Sequence, residues 1–280
     1  MRGISRIRRS VSFDGWTLER FGLSPPKLSQ RLFGGSASSA LCVSIPKSGT
    51  HLLERAICLH PRFYRKIIPT VSDENISRWR GLDGLLGRLR PGQIAVSHLR
   101  FSPTYPEILV RRDTRGFFLV RDPRELVVSQ VHYVSRRKDH RLHGVFAQRA
   151  DLKDKLRLAI AGDASSNLPS IAERLDYFMG WLDSGCLIVR FEDLIGPQGG
   201  GDADRQHAIV RSIFEHLGAD ADDATIRSVS TRLFSADSPT FRRGTVGGWM
   251  GVFDDELDAL FERVVGDRAS PFGYGSRTGP

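Results

Sequence analysis

Short apolar runs, each followed by a polar turn and an amphipathic segment, recur along the chain. Four runs lack the polar/apolar alternation of a half-exposed strand, which predicts strands buried on both faces. They are Ser39–Ile45 (SALCVSI), Ile94–Leu99 (IAVSHL), Gly116–Asp122 (GFFLVRD) and Cys186–Leu194 (CLIVRFEDL). Residues 171–182, 203–218 and 254–265 place apolar side chains at i, i+3, i+4 and i+7, which predicts helices packed on one face. Buried strands separated by such helices predict an α/β fold, with a central parallel sheet between two helical layers.

The same patterning indicates the domain organisation. Neither an internal repeat nor a second core is evident, so residues 37–275 are expected to form a single domain. Residues 1–36 are expected to form a basic N-terminal arm that is partly ordered or covers an acceptor site. Residues 136–155 are dense in charge, which predicts a mobile, solvated surface segment. Gly218 is expected at the C′ position of the helix that precedes it.

Composition narrows the possible functions. The 280 residues carry 41 Lys+Arg against 32 Asp+Glu, a formal net charge of +9, and 40% of them are hydrophobic. This composition suits a globular core and excludes a disordered polyelectrolyte. No apolar run approaches the roughly 18–20 residues of a spanning helix. The excess of positive charge leaves open nucleic acid, an anionic membrane or a small polyanion as the partner.

The cysteines indicate the compartment. Cys42, Cys58 and Cys186 each lie in an apolar run, which favours buried free thiols over disulfides. Neither a C-x-x-C pair nor a Cys/His ligand spacing is present, so no metal site is expected. The N-terminus is basic but lacks the apolar stretch of a secretory signal. These features predict a cytoplasmic protein.

The segment Ser44–Thr50 (SIPKSGT) joins a predicted buried strand to a predicted helix N-terminus. Free backbone N–H groups and the positive end of the helix dipole favour an anion there. Lys47 adds a full charge and Gly49 allows close backbone approach. Because Lys47 precedes Gly49, the order differs from the Walker A loop. An ordinary βα turn with a surface lysine stays a second interpretation of this segment alone.

Four segments in order resemble the sulfotransferases that use 3′-phosphoadenosine 5′-phosphosulfate (PAPS). P-K-S-G-T resembles their 5′-phosphosulfate loop, and Arg121–Ser129 (RDPRELVVS) resembles their 3′-phosphate motif. Phe191–Leu194 (FEDL) and Phe241–Trp249 (FRRGTVGGW) resemble their Y-E-D-L and R-K-G-x-x-G-x-W segments. The resemblance spans about Leu41 to Phe253. It implies a three-layer α/β/α sandwich of the P-loop nucleoside-triphosphate-hydrolase-like kind, with PAPS as donor and PAP as product.

The resemblance also implies roles for individual residues. The nucleotide's 5′ end would contact Lys47, Ser48, Gly49, Thr50 and His51. Its 3′-phosphate would be held through Arg121, Ser129, Arg242, Arg243 and Gly244, and Phe191 would line the adenine site. Taken alone, Arg121 could instead form an ion pair with Asp122 or Glu192, and Phe191 could be a core residue.

The implied reaction is in-line transfer of a sulfuryl group from PAPS to a small-molecule acceptor, at a hydroxyl or, as the less favoured alternative, at an amine. Lys47 would stabilise the leaving group. Ser97–Arg100 (SHLR) resembles the family's T-H-L-P, whose histidine is the general base, which implies that role for His98. A capped strand-end histidine is the alternative interpretation of His98. No metal is expected to be required.

Two other functions are compatible with parts of the sequence. A P-loop kinase acting on a small molecule would need Mg²⁺ held by a loop hydroxyl and a strand-end carboxylate such as Asp122 or Asp193, and the Lys–Gly order argues against it. A protein that binds nucleotide or nucleic acid without catalysis would exploit the positive charge, but the Arg-rich stretches contain few of the aromatic residues that such modules interleave. No nucleic-acid partner is therefore expected.

Overall fold

The computed structural model describes residues 15–33, 37–234 and 245–275. Within these ranges lie six strands: β1 Ser39–Ser44, β2 Tyr64–Arg65, β3 Val71–Ser72, β4 Gln93–His98, β5 Thr114–Val120 and β6 Leu187–Arg190. The α-helices of the same ranges are α1 Gly15–Arg20, α2 Pro25–Phe33, α3 Thr50–Cys58, α4 Gly81–Leu86, α5 Tyr105–Arg111, α6 Pro123–Arg136, α7 His143–Ala147, α8 Leu152–Ala161, α9 Ile171–Met179, α10 Phe191–Leu194, α11 Ala203–His216, α12 Asp223–Leu233 and α13 Asp255–Val265. Short 3₁₀ helices occupy Ile76–Trp79, Ala164–Ser166, Pro197–Gly199, Gly248–Gly251 and Gly266–Phe272.

The strands form one parallel sheet in the order β2-β4-β1-β5-β6, with β3 also paired to β4. In register, Val43 of β1 lies between Ser97 of β4 and Phe118 of β5. The carboxyl ends of the strands therefore meet at one edge, which is where open α/β sheets bind their ligands.

Alternate residues of each strand enter two separate cores. Leu41 and Val43 face the layer that contains α6, α8, α9 and α13. Ala40 and Cys42 face the layer that contains α3, α11 and α12. The predicted fold class, a parallel sheet between two helical layers, is confirmed. Cys42, Cys58 and Cys186 are free and buried.

Two predictions about local structure are wrong. The strand predicted over Cys186–Leu194 ends at Arg190, and α10 follows because Glu192 and Asp193 occupy a first helical turn, where acidic residues are favourable. Residues 136–155 are not a solvated surface segment throughout, since they contain α7 and the start of α8. Phe146 of α7 is fully buried in the core beneath the charged side chains.

The predicted helix end at Gly218 is supported by its positive φ of 62°. The proposed boundary between an arm (1–36) and a domain (37–275) stays a prediction. Several side chains of the 1–36 segment contact the rest of the chain: Arg20 pairs with Glu54, Glu19 pairs with Arg232, and the buried Lys27 Nζ donates to the carbonyls of Cys58 (2.6 Å) and His60 (2.9 Å). Burial lowers the pKa of Lys27 to about 8.

Candidate active site

The loop between β1 and α3 has the backbone geometry of an anion site. Gly49, the N-cap residue of α3, has a φ of 99°, and Lys47 also has a positive φ, 82°. No side chain of the described residues caps this helix N-terminus. The amide groups of its first turn are therefore directed toward whatever occupies the loop.

Gly49 is required for a second reason, which is close packing. A Cβ atom at this position would lie 2.5 Å from Cδ2 of Phe191. The Phe191 ring, at the carboxyl end of β6, therefore packs directly against the loop. Only glycine combines this approach with the left-handed conformation.

Two hydroxyl groups of the loop are in different environments. The Ser48 side chain is completely buried and its Oγ has no hydrogen-bond partner among the described residues. Thr50 Oγ1 lies 2.7 Å from Oγ of Ser44. An unpaired buried hydroxyl is costly, so Ser48 is a candidate ligand group for a bound anion.

Lys47 lies in a cationic environment. Its Nζ is 3.5 Å from the centre of the Tyr133 ring. Burial lowers its pKa to about 8, and the nearby charges of Arg174, Arg121 and Arg137 contribute to the decrease. The ammonium group is therefore protonated for the most part at neutral pH, in surroundings that favour an anion beside it.

His98, at the end of β4, faces the same loop. Its Nδ1 lies 2.9 Å from the carbonyl oxygen of Ser44, and 3.2 Å from the Ser44 Oγ. A carbonyl oxygen only accepts hydrogen bonds, so Nδ1 carries the proton and Nε2 of the neutral ring has a free lone pair. Burial lowers the pKa of His98, and the positive charges of His51, Lys47 and Arg174 lower it further. The hydrogen bond to the Ser44 carbonyl acts in the opposite direction.

Arg121, directly after β5, lies beside both the loop and Phe191. Its guanidinium carbon is 4.0 Å from the centre of the Phe191 ring, and Nη1 is 3.5 Å from the Lys47 carbonyl oxygen. Nη2 donates to Oε2 of Glu125 at 3.1 Å and to the Thr245 carbonyl at 3.3 Å. Nε is buried and has no partner among the described residues. The carboxylate that pairs with Arg121 is therefore that of Glu125, rather than Asp122 or Glu192.

The carboxylates around Arg121 hold three segments together. Glu125 Oε1 accepts from the Trp249 amide at 3.1 Å, which attaches the C-terminal segment to α6. Glu192 Oε1 accepts from the Asp122 amide at 3.0 Å, and its Oε2 accepts from the Tyr274 hydroxyl at 2.6 Å. Arg121 and Phe191 are thereby fixed relative to each other.

The remaining predicted site residues are less closely connected. Ser129 is half-buried on α6. His51 is exposed at the start of α3, where its Nδ1 is 3.2 Å from Oε2 of Glu54. Arg242, Arg243 and Gly244 lie outside the described residues. The structure thus brings together the loop between β1 and α3, His98, Arg121 and Phe191.

Sequence reasoning missed Arg174, which donates from Nη2 to the Pro46 carbonyl at 2.9 Å. Its position offered a signal. Ile171, Leu175 and Phe178 form the buried stripe of α9, and Arg174 occupies the i+3 position of that stripe. A charged residue on the apolar face of a helix indicates either a buried ion pair or a ligand site.

Within 15–33, 37–234 and 245–275, no group of three or more His, Cys, Asp or Glu side chains is arranged to hold a metal ion. No helix in these ranges has the length and apolar character needed to cross a membrane.

Comparison with known proteins identifies the fold. No family model matches the chain, and no curated protein matches it. Among solved structures, mouse sulfotransferase SULT7A1 complexed with PAP aligns with a TM-score of 0.62 at 17% identity, over 89% of this chain and 91% of the other. Retinol dehydratase in complex with androsterone and inactive cofactor PAP aligns with a TM-score of 0.57 at 15% identity, over 91% of this chain and 88% of the other. The same enzyme with retinol and PAP gives a TM-score of 0.56. The chain therefore has the α/β fold of the sulfotransferases.

Proposed function

We propose that this protein transfers a sulfuryl group from PAPS to a hydroxyl group of a small-molecule acceptor. The observation that carries the proposal is the pairing of His98 with the loop that contains Lys47. A histidine whose Nδ1 is bonded to the Ser44 carbonyl, and whose Nε2 is therefore free to accept a proton, lies beside an anion-binding loop. The fold shared with proteins that were crystallised with PAP supports the identity of the nucleotide.

The chain's polar groups suit a nucleotide with charge at both ends. Lys47, Ser48, Gly49 and Thr50 would contact the 5′-phosphosulfate, together with His51. The buried, unpaired Oγ of Ser48 is consistent with that role. A ligand oxygen would supply the partner that the hydroxyl lacks.

The 3′-phosphate would be bound by Arg121 and Ser129, with Arg242, Arg243 and Gly244. The unpaired Nε of Arg121 is suited to such a phosphate, since a guanidinium binds phosphate through charge-assisted hydrogen bonds. Phe191, which lies beneath Arg121, would line the adenine site.

In the proposed reaction the protein positions the two substrates, transfers a proton and stabilises the charge that develops on the leaving group. As the acceptor oxygen forms its bond to sulfur, His98 Nε2 takes the hydroxyl proton. The bond between sulfur and the bridging oxygen breaks, and Lys47 Nζ neutralises the negative charge that develops on that oxygen. PAP leaves with the bridging oxygen, and the acceptor leaves as a sulfate ester. We propose that no metal is needed and that the enzyme acts in the cytoplasm, where buried free thiols persist.

The test uses ³⁵S-labelled PAPS with a panel of hydroxylated metabolites, together with calorimetric titration of PAP. Lys47→Ala and His98→Ala should each lower turnover by at least about 100-fold. Because His98 acts on the acceptor side, His98→Ala should leave the affinity for PAP within about twofold. His207→Ala, which changes a histidine on α11, is the matched control. Absence of PAP binding by the wild-type protein would refute the proposal, as would Mg²⁺-dependent phosphoryl transfer from ATP to the same acceptors.

A further inference from the structure

Arg174 differs from the other buried arginines of the described chain. Arg65, Arg124 and Arg174 are each less than 7% exposed. Arg65 pairs with Glu54, and Arg124 pairs with Glu262. Arg174 forms no ion pair with a carboxylate of the described residues, and burial lowers its pKa to about 10. A buried charge without a counter-charge destabilises the protein unless another anion takes that place.

The hydrogen bonds of Arg174 place its guanidinium between the two nucleotide-binding motifs. Nη2 donates to the carbonyl oxygen of Pro46 in the phosphate loop, and Nη1 donates to Oε1 of Gln130, the residue after Ser129. Both partners are neutral. The remaining N–H groups of the planar fork are not hydrogen-bonded to described residues and can bind two oxygens of one anion.

The surroundings of Arg174 indicate which anion its guanidinium would bind. Its Nη2 is bonded to the carbonyl oxygen of Pro46, the residue before Lys47, and its charge lowers the pKa of both Lys47 and His98. The group is therefore close to both residues that the proposed reaction uses. The atoms that would pass between Lys47 and His98 are those of the sulfuryl group.

We infer that Arg174 binds the sulfuryl oxygens of the donor during transfer, an inference that rests on the proposed function. The guanidinium and the loop amides would then hold the group in line between the bridging oxygen and the acceptor. Its contribution is distinct from that of Lys47, which acts on the leaving oxygen. It is also distinct from that of Arg121, which acts on the 3′-phosphate.

A comparison of PAPS with PAP tests this inference without an acceptor, because the two nucleotides differ only in the sulfuryl group. Arg174→Gln removes the charge but keeps an amide N–H that can donate to the Pro46 carbonyl. By calorimetry, its affinity for PAPS should fall at least about tenfold relative to its affinity for PAP. Arg174→Lys keeps a charge in the buried position but loses the fork, and it should lower the same ratio at least about threefold. It also provides the measurement if the Gln variant fails to fold.

Arg124→Met is the matched control, because it removes a buried arginine whose charge is already paired. It should lower the melting temperature and leave the ratio of PAPS to PAP affinity unchanged. An equal loss of affinity for both nucleotides in the Arg174 variants would show that Arg174 only supports the loop, and would overturn the inference. An unchanged ratio with unchanged affinities would overturn it as well. If the wild-type protein bound neither nucleotide, the proposed function itself would fall.

Discussion

Glu54 allows a quantitative prediction about stability, because it is a buried carboxylate held by three cationic or polar partners. Its side chain is only 1% exposed. Oε2 accepts from Nη1 of Arg65 at 2.7 Å and from Nη2 of Arg20 at 3.0 Å, and it lies 3.2 Å from Nδ1 of His51. The carboxylate thus joins α1, α3 and β2, and α3 directly follows the loop that contains Lys47.

Burial by itself would raise the pKa of Glu54. The hydrogen bond with His51, the charge of Arg65, and the bond and charge of Arg20 more than offset this and lower it to about 2, from an ordinary value of 4.5. At about 1.4 kcal/mol per pH unit, the difference corresponds to about 3 kcal/mol of folding stability. Because the pKa is lower in the folded state, this stability is present in full above pH 4.5. It is lost as the pH falls from there toward 2.

Glu54→Gln keeps the shape of the side chain and removes its charge. The free energy of unfolding, measured by urea denaturation, should fall by at least about 3 kcal/mol at pH 7, since Arg65 is left buried without its partner. The difference between variant and wild type should shrink to less than about 1 kcal/mol near pH 2. Glu19→Gln removes a more exposed ion pair with Arg232 and should cost less than about 1 kcal/mol at pH 7. A Glu54→Gln deficit that stayed constant between pH 7 and pH 3 would refute this account.

Two further predictions concern the site. Gly49→Ala should weaken PAP binding and lower the melting temperature, because it combines a φ of 99° with a Cβ only 2.5 Å from the Phe191 ring. Gly81→Ala is the control, because Gly81 has a similar φ of 81° but open space around the new Cβ, so the variant shows the effect of backbone strain alone. Equal effects of the two variants would contradict a role for the Phe191 ring. For His98, whose pKa burial lowers, kcat/KM should fall with decreasing pH only below about 6.5, and a midpoint above that value would argue against His98 as the base.

The local parts of the site could be predicted from the sequence. The apolar run before Pro46 specifies β1, and Pro123 at the start of α6 marks the end of β5. Both predicted phosphate motifs depend on such strand–turn–helix units, whose signals lie within about ten residues. The same local pattern failed at β6, where the strand ends at Arg190 and α10 begins at Phe191 with no turn residue between them to mark the boundary.

Only the tertiary structure decided how the charged groups are paired. Nothing near Arg121 in the sequence distinguishes Glu125 from Asp122 or Glu192 as its partner, because the choice depends on helix geometry and on the approach of Thr245 and Trp249. Likewise, the hydrogen bond from His98 to Ser44 exists because β4 and β1 are neighbours in the sheet.

The sequence by itself therefore determined the fold class, and it predicted the loop between β1 and α3 and the residue types that would suit a sulfated nucleotide. Hydrophobic periodicity and turn residues are local properties of each helix, strand or turn, so they can be recognised in the sequence without knowledge of the fold. The burial of Arg174 beside Lys47 and the close contact of Gly49 with Phe191 required the folded chain. Burial and pairing arise between elements far apart in sequence, and they decide which of the chain's many positive charges lie beside the loop between β1 and α3.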